Sequence, residues 1–198
     1  MRITGDSKTG NYDAGIGDRL RRLMLRQGGS LEKLAALSGL GEKKLTAIAL
    51  GEMAPTINLL WKIANALGVP FGSLISARHR RGAFVLRKDQ QKVISSNDGL
   101  FTSRPLFLDD SQRLVEFYEL TLAPHHAVRS EAHSPGTLES LVVVRGHIEI
   151  TAGKDPTQRL GEGDALVFDG DVPHTYRNLG SSEALLYLVM SYVDLTEA

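Results

Sequence analysis

The apolar residues of the N-terminal third recur with a helical period. Ile16, Leu20 and Leu23 follow the spacing i, i+4, i+7, which predicts an amphipathic helix with Asp13 as its N-cap. Similar spacing continues to Ile75 and is interrupted by glycine and proline, the residues that end helices. The pattern predicts five short helices that pack into an all-α unit.

Beyond Gly82 the pattern changes to period 2. Two β-rich stretches are residues 114–120 and 185–190, and clusters of Gly, Asn, Asp and Ser separate the apolar runs. Short strands with regular turn signals are typical of an all-β sandwich or barrel. A further alternating stretch places four apolar residues on one side, namely Val142, Val144, Ile148 and Ile150.

These two periods predict a multidomain α + β protein, and 198 residues suit two small domains. The basic sequence RHRRG lies where the period changes and is the predicted linker. The predicted organisation is a flexible N-terminal arm over residues 1–13, a helical domain over 14–76, a basic linker over 77–82 and a β domain over 83–198.

Charge divides the chain in the same place. The net charge is zero, but residues 1–92 carry 16 Lys and Arg against 7 Asp and Glu, while residues 93–198 carry 7 against 16. A basic helical half predicts contact with nucleic acid, and an acidic β half predicts a different task. The chain has no cysteine, which excludes disulfides and cysteine-bound zinc. Its polar start and the lack of a long apolar run predict a cytoplasmic protein with no membrane segment.

The helical half contains a recognisable motif. Residues 31–40 read LEKLAALSGL, and Leu45, Ile48, Gly51 and the PT pair at 55–56 follow in register. This half resembles the Cro/C1-type helix-turn-helix of the xenobiotic-response-element family over about residues 14–76. The resemblance implies a lambda-repressor-like bundle whose recognition helix, about residues 41–50, enters the major groove of double-stranded DNA.

The resemblance also implies which residues contact the operator. The lysines of the recognition helix would reach guanine or phosphate, a serine at the preceding helix N-terminus would approach a phosphate, and arginines of the first helix would add backbone contacts. The implied DNA-binding residues are Ser30, Glu42, Lys43, Lys44, Thr46, Arg22 and Arg26. The sequence departs from the family at Met24 and at Ala49–Leu50, where an ion pair is common. The alternative is a bundle used for dimerisation only, with the lysines as a solvated surface.

The β half carries two motifs at a characteristic spacing. The first reads EAHSPGTLE over 131–139 and is followed by Gly146, and the second reads GDALVFDGDVPH over 163–174 and is followed by Asn178. These motifs resemble those of a cupin, a double-stranded β-helix or jelly-roll barrel, over about residues 83–193.

Metal-binding cupins use two histidines and a glutamate from the first motif and one histidine from the second. Carried over by position, this chain keeps His133, Glu139 and His174, while Glu131 replaces the first histidine. The resemblance implies one divalent metal ion (Fe, Mn, Ni or Zn), with Glu131 as a fourth ligand or a base. Alternatively, the same residues hydrogen-bond an organic effector or only pack the barrel.

Together the two resemblances imply a two-domain bacterial transcription regulator. Such a regulator would be a homodimer, would bind a DNA operator and would change its affinity when a small-molecule effector enters the cupin. A metal-sensing regulator is a variant of this interpretation. The rival is a mononuclear metal-dependent oxygenase with an accessory helix-turn-helix domain. The intact motif and the basic half favour a regulator without enzymatic activity.

Overall fold

The computed structural model describes residues 9–26, 28–75, 85–90, 93–108 and 115–192. The chain forms two compact units, divided between Ile75 and Ser76. One is helical and the other is built from antiparallel strands, so the predicted α + β fold is confirmed. The predicted linker over residues 77–82 lies outside the described residues.

The first unit contains five helices in its described part. Their bounds are α1 Thr9–Arg26, α2 Leu31–Ser38, α3 Glu42–Leu50, α4 Ile57–Leu67 and α5 Gly72–Ile75. The prediction that Asp13 is an N-cap is wrong, because α1 begins four residues earlier. The apolar residues indicate which part of a helix packs against the core. They therefore do not predict a first turn that consists of polar residues.

The helix ends agree well with the sequence. The Ser30 side chain accepts a hydrogen bond from the backbone N–H of Lys33 at 3.3 Å and caps α2. Gly39 ends α2 in the left-handed conformation (φ 66°), and Gly51 (φ 75°) ends α3 in the same way. Residues with a Cβ atom adopt this backbone conformation only rarely, so glycine at these two positions ends α2 and α3. The core of the unit is formed by Leu20, Leu45, Ile48, Leu60, Ile63 and Leu74.

The second unit contains ten strands in its described part. Their bounds are β1 Ile94–Ser95, β2 Phe101–Leu108, β3 Val115–Leu122, β4 Ala127–Ser130, β5 Leu138–Arg145, β6 Ile148–Ala152, β7 Gln158–Leu160, β8 Ala165–Asp169, β9 His174–Asn178 and β10 Ala184–Ser191. They form a six-stranded sheet of order β1-β2-β3-β10-β5-β8 and a four-stranded sheet of order β4-β9-β6-β7. The two predicted β-rich stretches correspond to β3 and β10.

One predicted alternation has the wrong phase. Val142 and Val144 are exposed on β5, while Val143 between them is buried, and Ile148 on β6 is buried again. The reason is the turn at Gly146 (φ 97°), which separates the two strands and shifts the alternation. The pattern of residues 142–150 therefore belongs to two strands with different buried sides.

None of the described helices is both long enough and apolar enough to cross a lipid bilayer.

Candidate functional site

Helix α3 presents a charged first turn. Glu42, Lys43 and Lys44 are exposed, whereas Leu45 and Ile48 on the other side are completely buried. The buried pair anchors the helix in the bundle and fixes which side chains point outwards. The exposed turn is the part of the helix that the motif would insert into a groove.

Thr46 lies at the border of this exposed surface. Its side chain is half-buried, and its hydroxyl donates a hydrogen bond to the carbonyl oxygen of Glu42 at 2.9 Å. Ser30, at the start of α2, and Arg22 and Arg26, on α1, are exposed. The two arginines are four residues apart and therefore lie on one side of α1. The roles of these residues in DNA contact stay predictions.

The second candidate site lies inside the barrel. Glu139 points inwards from β5 of the six-stranded sheet, and His174 is the first residue of β9 of the four-stranded sheet. His133 is in the loop between β4 and β5. One potential ligand atom from each of the three lies within 4.8 Å of the other two. The fold therefore brings the three residues of the two cupin motifs together.

The carboxylate of Glu139 is the centre of this cluster. Its Oε1 atom lies 2.9 Å from Nε2 of His133 and 3.4 Å from Nε2 of His174. Its Oε2 atom accepts a hydrogen bond from the hydroxyl of Tyr176. The three side chains His133, Glu139 and His174 are 4%, 1% and 1% exposed, respectively, so the carboxylate is held almost entirely by protein groups.

The orientation of His174 fits a metal ligand. Its Nδ1 atom lies 2.8 Å from the carbonyl oxygen of Val172, an arrangement that places the ring proton on Nδ1. Its Nε2 atom is buried and makes no hydrogen bond within the described part of the chain. Metal-bound histidines use the same arrangement, in which a backbone carbonyl holds one nitrogen and the other faces the ion. The cluster therefore offers two imidazoles and a carboxylate that could hold a metal ion.

The protonation states agree with this use. Burial raises the pKa of Glu139, but the hydrogen bond from His133 and the charges of His174 and His133 outweigh it, and the pKa falls below 4.5. Burial lowers the pKa of His174 below 6.5, and the opposing effect of Glu139 is smaller. Burial likewise raises the pKa of Tyr176 well above 10. At neutral pH Glu139 is thus ionised and His174 is neutral, which are the states that metal binding requires of these two ligands, while the hydroxyl of Tyr176 keeps its proton.

Gly170 holds the cluster together and was missed by the sequence reasoning. Its carbonyl accepts a hydrogen bond from the backbone of His133 at 3.0 Å, and its own N–H donates to the Thr137 carbonyl at 2.8 Å. A Cβ atom here would lie 3.0 Å from Cγ of Glu139 and 3.3 Å from Cδ2 of His133. Tyr176 was missed as well, although its position two residues after His174 places it on the same side of β9.

A second buried carboxylate was also missed. Glu116 on β3 accepts hydrogen bonds from the hydroxyls of Tyr118 at 2.5 Å and Tyr192 at 2.8 Å. Both Glu116 and Glu139 lie opposite Met190 of β10, one on each side. The inside of the barrel therefore carries polar groups on both sides of its central strand.

Glu131 is the predicted site residue that the structure does not bring to this cluster. It is exposed and is absent from the group of metal-ligand atoms found among the described residues. Its role as a fourth ligand or base stays a prediction.

Comparisons with known proteins agree with both domains. A family model described as helix-turn-helix matches residues 20–74, and one described as a cupin domain matches residues 118–190. The HTH-type transcriptional regulator SutR of Escherichia coli K12 is 30% identical over 173 residues, which cover 87% of this chain and 92% of SutR.

Solved structures give the same picture. An HTH_3 family transcriptional regulator from Vibrio cholerae has a TM-score of 0.73 and 25% identity, with 94% of this chain and all of that chain covered. The iron(II) form of HppE has a TM-score of 0.50 and 19% identity, with 90% of this chain and 99% of that chain covered. The second likeness concerns the fold alone.

These findings define a class: proteins that join an N-terminal helix-turn-helix bundle to a C-terminal cupin barrel. Within this class, the chain belongs to the HTH-type transcriptional regulators of the xenobiotic-response-element (Cro/C1) type with a cupin domain.

Proposed function

We propose that this regulator is a cytoplasmic homodimer that binds a specific DNA operator and changes its operator affinity when a ligand occupies the cupin barrel. The observation that carries the proposal is the pairing of two features in separate units. An exposed, lysine-bearing turn projects from α3, and a buried His–Glu–His cluster lies inside the barrel.

The DNA-binding step uses the exposed side of α3. Lys43 and Lys44 donate to guanine or phosphate, and Thr46 contacts phosphate or a thymine methyl group at the edge of the same surface. Ser30 at the N-terminus of α2, with Arg22 and Arg26 on α1, adds contacts to the phosphate backbone. In the same proposal, Glu42 accepts a hydrogen bond from a cytosine amino group. Because phosphate contacts release counterions, binding weakens steeply as salt is added.

The sensing step uses the barrel. A divalent ion (Fe, Mn, Ni or Zn) would be held by His133, Glu139 and His174 and would leave coordination positions open for a polar effector. In the absence of metal, the same groups would hydrogen-bond the effector directly. Either ligand shifts operator affinity only if it binds the DNA-competent and DNA-incompetent arrangements with different affinities.

The protein acts as a binding protein without catalysis in this proposal. The alternative is a mononuclear metal-dependent oxygenase, for which the two histidines and one carboxylate would suffice as metal ligands. The exposed lysine turn of α3 and the basic excess of residues 1–92 favour the regulator, because exposed cationic side chains on this helix suit contact with DNA.

A binding measurement with matched variants tests the proposal. The operator is selected from random duplexes with the full-length protein, and dissociation constants are then measured by fluorescence anisotropy over a range of salt concentrations. We expect the double variant Lys43→Ala/Lys44→Ala to lose about 1–3 kcal/mol of operator binding, with a shallower salt dependence. Lys62→Ala, an exposed lysine on α4, is the matched control and retains near-parental affinity. Equal affinity of the double variant and the parent would show that α3 is not the recognition helix.

A further inference from the structure

The two oxygens of the Glu139 carboxylate meet different kinds of groups. Oε1 faces the Nε2 atoms of His133 and His174, at 2.9 and 3.4 Å. Oε2 accepts a hydrogen bond from the hydroxyl of Tyr176, its one hydrogen-bond donor among the residues that the structure describes. We infer that Tyr176 is a positioning residue, whose hydroxyl holds Oε2 so that Glu139 offers a metal ion the single oxygen Oε1. This role rests on the proposed function in its metal-binding form.

The hydrogen bond of Tyr176 joins the two sheets of the barrel. Glu139 belongs to β5 of the six-stranded sheet, whereas Tyr176 belongs to β9 of the four-stranded sheet. His174 precedes Tyr176 by two residues, so both side chains lie on the same side of β9. One strand therefore supplies a candidate metal ligand together with the group that orients a second ligand from the opposite sheet.

The ring of Tyr176 is fixed by its neighbours. In register it lies between Val128 of β4 and Ile150 of β6, and both of these residues are buried. Its ring contacts those of His174 and Phe168 edge to face, with centroids 5.6 and 6.2 Å apart. The rings of Phe168 and His174 also contact each other, at 5.3 Å. Such contacts are favourable, so packing holds the ring and leaves the hydroxyl directed at Glu139.

The hydrogen bond on Oε2 determines how the carboxylate can bind an ion. A carboxylate binds a metal ion through one oxygen or through both. A donor that stays on Oε2 favours binding through Oε1 alone and orients the group before the ion arrives. Without that donor, a buried oxygen would lose its hydrogen bond and would turn towards the ion. Loss of the hydroxyl should therefore weaken metal binding and add a ligand atom to the ion.

The second buried carboxylate of the barrel provides a matched control. Glu116 accepts hydrogen bonds from the hydroxyls of Tyr118 and Tyr192, and it is not part of the group of potential ligand atoms found in the described part of the chain. Tyr118 and Tyr176 are both 2% exposed. Tyr118→Phe thus removes a tyrosine hydroxyl from an equally buried carboxylate that does not face the two histidines.

Isothermal titration of the full-length protein with Zn²⁺ tests the effect on affinity. We expect Tyr176→Phe, which keeps the ring and removes the hydroxyl, to raise the dissociation constant for Zn²⁺ by about 10- to 100-fold. Tyr118→Phe should retain near-parental affinity. Circular dichroism and thermal unfolding of the metal-free proteins verify that each variant is folded. A Tyr176→Phe variant that binds Zn²⁺ as tightly as the parent overturns the inference.

The absorption spectrum of bound Co²⁺ separates positioning from a structural role. Co²⁺ with four ligands absorbs visible light more strongly than Co²⁺ with five or six, so the spectrum reports the number of ligand atoms. We expect a weaker absorption per bound Co²⁺ in Tyr176→Phe than in the parent, and the parental spectrum in Tyr118→Phe. If Tyr176→Phe binds metal more weakly but keeps the parental spectrum, the hydroxyl only stabilises the barrel and the inference is wrong.

An infrared measurement on the parent gives an answer even if Tyr176→Phe fails to fold. The difference spectrum between the Zn²⁺-bound and the metal-free protein contains the carboxylate stretching bands that change on binding. A carboxylate bound through one oxygen has widely separated asymmetric and symmetric bands, whereas one bound through both has closely spaced bands. We expect wide separation for Glu139, assigned by its loss in Glu139→Gln. Closely spaced bands overturn the inference.

Other outcomes separate this inference from the proposed function. A parent that binds neither Zn²⁺ nor Co²⁺ overturns the role of Tyr176 together with metal sensing, while operator binding is measured independently and stands by itself. If the variants behave as expected but Zn²⁺ leaves operator affinity unchanged, the role of Tyr176 stands and metal sensing is wrong.

Discussion

A Cβ atom on Gly17 would lie 2.6 Å from the carbonyl oxygen of Ala49 and 2.8 Å from that of Ile48. Helix α1 therefore meets the last turn of α3 backbone to backbone. The guanidinium of Arg21, one turn further along α1, donates to the same Ala49 carbonyl. A cation at a helix C-terminus is favourable, because the exposed carbonyls carry partial negative charge. The position of α3 is thus set by its contact with α1.

The first prediction concerns this contact. Gly17→Ala gains up to about 1 kcal/mol of helix propensity but forces two backbone segments apart, so we expect a net loss of about 1–3 kcal/mol in the free energy of unfolding. Operator affinity falls with it, because α3 is displaced. Gly15→Ala is the control on the same helix, since its Cβ would lie at an ordinary 3.5 Å from the flexible end of Arg19. Urea unfolding compares the two, and equal stability would contradict the prediction.

The second prediction concerns the glycine beside the barrel cluster. An alanine at Gly170 would press on Glu139 and His133, so Gly170→Ala should weaken binding of metal or effector about 10- to 100-fold while the barrel still folds. Gly161→Ala, whose Cβ would come no closer than 3.5 Å to His147, is the matched control. Isothermal titration with Zn²⁺ or Fe²⁺ measures the difference. Unchanged affinity in the Gly170 variant would mean that the cluster does not bind the ion.

The third prediction concerns metal removal. A metal ion at a free concentration one hundred times its dissociation constant stabilises the folded protein by about 2.7 kcal/mol. We therefore expect a chelator to lower the melting temperature and added divalent metal to restore it, with no such response in His174→Ala. Thr175→Ala, at the next and outward-facing position, retains the response. If the chelator has no effect while His174→Ala removes the response of DNA binding to an organic effector, the cluster binds that effector directly.

The fourth prediction concerns the pH dependence of the metal-free protein. The pKa of His174 in the folded protein lies below 6.5. As the pH falls through this value, the histidine is therefore protonated in the unfolded chain before it is protonated in the folded protein, and this difference favours unfolding. The pKa of Glu139 is lowered below 4.5, so its contribution is lost on further acidification. The free energy of unfolding should therefore decrease from pH 7 towards pH 4. His174→Gln removes the part of the decrease that begins near pH 6.5, and urea titrations with chelator present measure it. A parent that is as stable at pH 5 as at pH 7 would falsify this.

Local signals made the helix ends and the cluster predictable. Ser30, Gly39 and Gly51 determine helix ends through their own backbone and side-chain preferences, which the sequence shows directly. His133 and His174 lie in two motifs with the spacing of cupin motifs, and this resemblance predicted that the two histidines come together. The structure also shows which side chains come together through the register of strands that are distant in sequence, and no local sequence pattern predicts these contacts. Glu116 is an example, since it lies two strands from Glu139 only because β10 pairs with both β3 and β5.

The alternation of β5 has a final consequence. Glu139 points into the barrel from this strand, while its neighbour Ser140 and then Val142 point to the opposite side. A ligand that displaces the carboxylate of Glu139 would therefore also displace the main-chain segment that carries Val142. Only the thickness of one sheet separates the buried cluster from the outer surface of this domain, and the two are connected by a single main-chain segment of four residues, 139–142.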